Sequence, residues 1–171
     1  LRNRLIIQLD QNQTSLAGLV RLIRNIFVLV LVIEAVGALI LGVYLMRIYP
    51  WHEALYMGLF HAVTGFTHAG FDLFGNRLLS FRHDVVVNFT MMGLMFCGAI
   101  GFPVLIELIN YPSTRKLSLH SKLSLFVYVL LWVIGTLIIL VLEYNANLKH
   151  DVWYEKILVA TFQSLTTRST G

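Results

Sequence analysis

Two short stretches of the sequence carry residue types from which a cation site could be built. They cover residues 51–71 and 153–171, begin 102 residues apart, and each has a phenylalanine nine residues after its opening tryptophan. Each then runs through small and hydroxyl residues to a glycine, Gly70 in the first stretch and Gly171 in the second. Because self-similarity at a fixed spacing indicates a repeated structural unit, we treat the two stretches as copies of one module.

The chemistry that this module suggests is coordination of a dehydrated cation by main-chain oxygens. In selectivity filters, rings of backbone carbonyls replace the water shell of the ion. Such carbonyls converge from irregular backbone, which membrane depth tolerates where it lines a cavity, and glycine supplies the positive φ that this backbone needs. A short helix before each glycine would direct its partially negative end towards the ion. Gly70 and Gly171 are therefore predicted to lie in two filter strands, the alternative being an interfacial helix or a buried loop.

The composition indicates that a membrane surrounds these modules. The 171 residues are 57% hydrophobic and 13% charged with a mean hydropathy of +0.75, whereas soluble domains are about 45–50% apolar and about 25% charged. The net charge of +4 is carried in loops without a basic, aromatic-rich stripe, so no nucleic-acid partner is expected. Cys97 is the single cysteine, and no Cys/His cluster has metal-ligand spacing. No motif of a hydrolase, phosphate-binding or dinucleotide-binding enzyme occurs, so neither catalysis nor a cofactor is expected.

Hydropathy divides the chain into membrane passes, each of which needs about 20 apolar residues. The pattern predicts an all-α membrane protein of span–pore-helix–filter loop–span modules, one complete and one truncated. Gly98, Gly101 and Pro103 predict a bend in the second span. The predicted segments are an amphipathic cytosolic or interfacial segment (1–24), a complete repeat (25–110, with span 25–46, pore helix and filter 51–71 and span 85–108), a cytosolic loop (111–122) and the start of the next repeat (123–171, with span 123–142 and pore helix and filter 152–171).

Charge sets the predicted orientation, because short loops rich in Lys and Arg face the cytoplasm. The first 24 residues contain four arginines and one aspartate, and the 111–122 loop contains three basic residues and no acidic one. Both glycine modules are therefore expected to enter from the outer face. Glu53 and Asp151 lie near the starts of the short helices, where an acidic residue is favourable and can cap.

Several motifs resemble the membrane subunit of the Trk/Ktr/HKT potassium transporters, and most closely its Ktr branch. They are RNRLIIQ…SLAGLVRLI at the start, HAVTGFTHAGFDLFG (61–75), GAIGFPVLIEL (98–108) and FQSLTTRSTG (162–171). That family has four repeats around one pore, each giving one filter strand and one glycine. The resemblance implies that residues 25–108 are the second repeat and 123–171 the beginning of the third. The chain would then be a piece of a longer product and supply about half of a filter.

The resemblance also assigns the ion-binding residues. Main-chain oxygens of one filter strand would bind K⁺, and the side chains of His68 and Arg168 would point away from the cation. Asp72, just beyond the first strand, could enrich cations at the outer mouth or be a solvated loop acid, and His61 is predicted to bond to backbone behind the pore helix. The two implied strands are Thr67, His68, Ala69 and Gly70, and Arg168, Ser169, Thr170 and Gly171.

The resemblance implies potassium uptake across the plasma (inner) membrane by a multi-pass homodimer in contact with lipid. A cytosolic ring of nucleotide-binding regulatory subunits would gate it. One alternative is a sodium-selective or cation-coupled member of the superfamily, which a serine at the filter position of the first repeat would favour. A second alternative is a non-conducting multi-span scaffold whose re-entrant loops are structural only.

Overall fold

A computed structural model of the protein describes residues 16–76 and 78–168, with side chains described from residue 20 onward. The chain divides into two compact units at Ile33 and Glu34, and all contacts given below lie within the second. The described residues contain helices and no strand, which confirms the predicted all-α class. The helices are α1 (Leu16–Leu45), α2 (Trp51–Phe66), α3 (Val85–Ala99), α4 (Phe102–Thr114), α5 (Leu119–Glu143) and α6 (Trp153–Thr166), with one 3-10 turn at Leu79–Phe81.

Within the described part of the chain, two helices are long and apolar enough to cross a membrane, Val20–Leu45 within α1 and the whole of α5. In α5, Ser121 is the one buried residue, and the others are exposed or half-buried. Large apolar side chains cover the outside of both helices, as expected where lipid replaces water around the protein. The helix α1 begins at Leu16, so no break separates the predicted interfacial segment 1–24 from the predicted span 25–46; residues 1–15 lie outside the described part of the chain.

The predicted span 85–108 consists of two helices, α3 and α4, that meet at an angle of 108°. Gly101 separates them with a φ of 83°, which favours glycine, and Pro103 lies in the first turn of α4. Together the pair forms a third candidate span or a re-entrant segment. The predicted loop 111–122 shortens to residues 115–118, because α4 continues to Thr114 and Ser118 caps α5 by accepting a hydrogen bond from the Ser121 N–H at 3.2 Å.

The short helices pack closely on the helices that precede them. On α2, a Cβ added at Gly58 would lie 2.5 Å from the Gly42 nitrogen and 2.7 Å from the Ala38 carbonyl oxygen of α1. In the second module, the Ser164 hydroxyl of α6 donates to the Trp132 carbonyl of α5 at 2.9 Å, and the Trp132 indole donates to the Thr161 carbonyl at 3.0 Å. Small residues thus allow close approach in one module, and hydrogen bonds join the helices of the other.

The core of the first module lies between α2 and α3. Met91, Met92, Leu94 and Met95 of α3 are buried, and a Cβ added at Gly65 of α2 would lie 3.0 Å from the Met91 methyl carbon. Met side chains adapt to irregular gaps of this kind. The methionines therefore pack in the core between α2 and α3, where Met91 contacts the last turn of α2.

An ion-pair network joins the loop after the first module to the segment before α6. Arg82 contacts the Asp151 carboxylate at 2.6 Å and donates to the Asn147 carbonyl at 2.9 Å. Asp151 was expected near the start of α6 as a cap, but it pairs with Arg82, and Glu155 bonds the Val152 N–H at 3.1 Å. On α2, Glu53 makes no cap bond, since Pro50 precedes the helix without side-chain capping.

The Arg82–Asp151 pair is expected to stabilise the association of the two modules. The Arg82→Gln and Asp151→Asn substitutions should each lower the stability of the full-length protein by about 1–2 kcal/mol, because each leaves a partly buried charge unpaired. The double substitution should lose less than the sum of the two. Thermal unfolding of the detergent-solubilised protein measures this, and strictly additive losses would contradict a direct pair.

Candidate cation-filter site

The candidate filter strand begins where α2 ends. Thr67 follows Phe66, and both its N–H (2.9 Å) and its hydroxyl (2.7 Å) bond to the Val63 carbonyl. The Ala69 N–H then donates to the Thr64 carbonyl at 3.0 Å, and the Phe71 N–H reaches the Thr64 hydroxyl at 3.3 Å. The strand is thus tied at both ends to the last turns of the helix.

The backbone of this strand alternates in handedness. The φ angle is −81° at Thr67, positive at His68 (58°), not positive at Ala69, and positive at Gly70 (71°). Backbone that alternates in this way follows neither a helix nor a strand, and membrane depth tolerates it where it is buried in protein or lines a cavity. A filter strand is one use of such irregular backbone. Only glycine adopts the left-handed region without a steric penalty, so Gly70 fits its position.

His68 lies against α3 at Gly98. A Cβ added at Gly98 would lie 2.0 Å from the Phe66 carbonyl oxygen and 3.0 Å from the His68 ring. Burial lowers the pKa of His68, which lies in the loop outside the spanning helices, so the imidazole is neutral at pH 7. The sequence marked Gly98 only as part of a bend, yet it is the residue that lets the candidate filter strand approach α3.

Arg168, the first residue of the second implied strand, lies against α5. Its guanidinium donates to the Leu131 carbonyl and lies 2.8 Å from the position of a Cβ added at Gly135. The two short helices end in the same way. The Thr167 hydroxyl after α6 donates to the Gln163 carbonyl at 2.9 Å, just as the Thr67 hydroxyl after α2 donates to the Val63 carbonyl. The other members of this strand, Ser169, Thr170 and Gly171, lie outside the described residues.

Asp72 and His61 meet just beyond the first strand. Their side chains approach to 3.2 Å and are 13% and 3% exposed. The sequence suggested a mouth or solvated acid at Asp72 and a backbone contact at His61, and it gave no signal that the two residues pair. The pair joins the middle of α2 to the loop that leaves the filter.

A second cluster of titratable groups surrounds Asp151. The His83 ring lies 3.7 Å from Asp151 and 3.7 Å from Glu155, and the three residues could share a metal ion. Arg82 already neutralises the Asp151 carboxylate at 2.6 Å, and His83 is 41% exposed. We therefore interpret this cluster as the ion-pair network between the modules.

Comparison with known proteins gives a consistent result. A family model described as TrkH, cation transport protein, matches residues 7–171. The chain is 36% identical to Ktr system potassium uptake protein D and 34% identical to Ktr system potassium uptake protein B, both of Bacillus subtilis (strain 168), in each case over 100% of this chain and 39% of the relative. It is 31% identical to potassium/sodium uptake protein NtpJ of Enterococcus hirae, over 98% of this chain and 38% of the relative. The chain thus spans about two fifths of the length of these relatives.

Proposed function

Since the chain belongs to the TrkH family of cation transport proteins, we propose that it is part of the pore-forming subunit of a potassium uptake system. Membership confirms the predicted Trk/Ktr family. It also places the chain among multi-pass plasma-membrane transporters, which are not enzymes and use no cofactor beyond the transported ion. The names of the relatives, potassium uptake proteins, support K⁺ as the substrate.

In the proposed mechanism, K⁺ sheds its water and is bound by main-chain carbonyls. One strand is 67–70, and residues 168–171 supply another; the remaining strands lie in the parts of the relatives that this chain does not cover. The ion moves passively, because several adjacent sites of similar affinity let it enter and leave. The observation that carries this proposal is the alternation of φ at His68 and Gly70 directly after a short helix that ends at Phe66.

Orientation and partners follow from the same family. The helices α1 and α5 would be the first spans of two repeats, with α2 and α6 as pore helices that enter from the outer face. The basic residues Arg115, Lys116 and Lys122 would then face the cytosol, where a ring of nucleotide-binding subunits would gate the pore of a homodimer. Removal of that ring is expected to change the rate of uptake and to leave the choice of ion unchanged.

The filter assignment is tested by Gly70→Ser in the full-length protein, expressed in cells that lack their own potassium uptake. Rubidium uptake at low potassium should fall by at least about tenfold, equivalent to about 1.4 kcal/mol, or Na⁺ should begin to enter. Gly75→Ser is the matched control: Gly75 also has a positive φ of 72°, and a Cβ there meets nothing within 4 Å. It carries the same backbone strain of about 1–2 kcal/mol outside the filter, so uptake should persist.

The outcome separates the remaining candidates. If wild type moves Rb⁺ and both glycine variants behave alike, the loss is backbone strain and Gly70 is not in a filter. If wild type admits Na⁺ as readily as Rb⁺, a sodium-selective or cation-coupled transporter replaces the potassium-selective one as the proposed function. We keep this second candidate because one relative is named a potassium/sodium uptake protein. If no cation moves with the cytosolic partner present, the chain is a scaffold.

A further inference from the structure

We propose that His61 and Asp72 form a strut behind the filter strand that fixes its outer end and thereby sets cation selectivity. The inference rests on the proposed function of residues 67–70 as a filter. It assigns positioning roles to two side chains that do not themselves bind the ion. We call this pair the His61–Asp72 strut.

The strut connects the two supports of the strand. His61 lies within α2, six residues before Thr67, and Asp72 lies two residues after Gly70. Beyond the strand, the chain contacts α2 again where the His61 Nε2 lies 3.2 Å from the Asp72 Oδ1 and 3.4 Å from the Leu73 nitrogen. These contacts add to the hydrogen bond between the Phe71 N–H and the Thr64 hydroxyl at the outer end of the strand, so their loss is expected to change the position of that end.

The His61 ring has polar contacts at both of its nitrogens. The Nδ1 lies 2.8 Å from the Met57 carbonyl of the same helix. The Nε2 lies 3.2 Å from the Asp72 Oδ1 and 3.4 Å from the backbone nitrogen of Leu73. The side chains of His61 and Asp72 are 3% and 13% exposed, so these contacts are shielded from water, and loss of the imidazole removes all of them at once.

The same carboxylate organises the loop beyond the filter. Asp72 accepts the Phe74 N–H at 3.0 Å and the Asn76 N–H at 3.1 Å. The Phe74 ring stacks on His61 with a centroid distance of 4.5 Å and an interplanar angle of 16°. The His61–Asp72 strut therefore also fixes the turn formed by residues 72–76. The Asp72 carboxylate is engaged in these hydrogen bonds, so it does not serve to attract cations from solution.

The second module suggests a conservative substitution for His61. When the two modules are aligned on Phe60 and Phe162, the sequence FHAVT of the first lies opposite FQSLT of the second, so His61 corresponds to Gln163. A glutamine amide can donate to the Asp72 carboxylate without a charge. His61→Gln is therefore expected to keep the position of the strand, whereas His61→Ala removes the bond and the stacked ring.

The test uses the full-length protein in cells without endogenous potassium uptake and compares the Na⁺/Rb⁺ uptake ratio per folded protein. His61→Ala should raise this ratio by about tenfold, as expected for the loss of a buried hydrogen-bonding side chain. Asp72→Asn, which keeps an acceptor for the loop and removes the charge, should raise it by a similar factor. His61→Gln should restore a ratio near that of wild type, while KM for Rb⁺ rises in the alanine variant.

The outcomes distinguish the strut from the filter itself. If wild type transports Rb⁺ selectively and neither His61→Ala nor Asp72→Asn changes the ratio, the strut is overturned and the filter proposal stands. If Gly70→Ser also leaves both the rate of Rb⁺ uptake and the ratio unchanged, the filter proposal fails too. Should His61→Ala yield no folded protein, the ratio in Asp72→Asn decides, with folded amount measured by size-exclusion of the detergent extract.

Discussion

Replacing Gly98 by alanine is expected to remove most of the potassium uptake by the full-length protein. A Cβ at that position would lie 2.0 Å from the Phe66 carbonyl oxygen, and Phe66 is the last residue of α2 before the filter strand. The close atom belongs to the backbone, so α2 or α3 must move as a whole. The expected destabilisation is about 3 kcal/mol, the upper end of the usual cost of overpacking, and the displacement of α2 would also move residues 67–70.

Gly93→Ala is the matched control, since it lies on the same helix and a Cβ there meets nothing within 4 Å. It should leave uptake unchanged and raise the helix stability by up to about 1 kcal/mol. Rubidium uptake and thermal unfolding of the purified protein measure both variants. Full activity of Gly98→Ala with an unchanged unfolding temperature would show that the contact between α3 and the filter end of α2 does not exist in the assembled protein.

The second large effect is expected at Gly58, where α2 crosses α1. Gly58→Ala places a methyl group 2.5 Å from the Gly42 nitrogen and 2.7 Å from the Ala38 carbonyl oxygen. Overpacking of this kind costs about 1–3 kcal/mol, and the shift would tilt α2 and with it the strand. We expect rubidium uptake to fall by at least about tenfold, the rate equivalent of about 1.4 kcal/mol.

Gly42→Ala tests the same crossing from the opposite side. A Cβ at Gly42 would meet the Leu55 side chain at 3.1 Å and its Cα at 3.4 Å, so a rotamer change relieves most of the clash. This variant should retain most of the uptake and lose less than about 1 kcal/mol. Equal loss in the two variants would show that any added volume at the crossing is harmful and that the Gly58 backbone contact has no special role.

The sequence by itself determined the class of protein and the order of its helices. Hydropathy over 20 or more residues and the repeated spacing of Trp51 and Trp153 are local signals, and they predicted α1, α2, α5 and α6. Local signals also located the bend between α3 and α4, since Gly101 and Pro103 act on the backbone near them. The family resemblance of the motifs around Gly70 then indicated the function.

Local signals gave the position of the bend, but not its angle of 108°, which depends on what α4 packs against. The helices α1 and α4 extend beyond the predicted spans 25–46 and 85–108, since α1 begins at Leu16 and α4 ends at Thr114; hydropathy marks the apolar part of a helix and not its ends. Asp151 does lie near the start of α6, where the sequence predicted a favourable acidic residue that can also cap, but its pairing with Arg82 of the first module was not predicted.

Only the tertiary structure decided which residues contact the candidate filter strand and its flanking loops. Gly98 lies 32 residues from Phe66, Arg82 lies 69 residues from Asp151, and Asp72 lies 11 residues from His61. No periodicity relates such pairs, since their contact depends on the path by which the chain returns to the strand. The glycine and hydroxyl residues near the end of α2 predicted a filter strand, whereas the residues that pack against this segment are distant in the sequence and were found only in the structure.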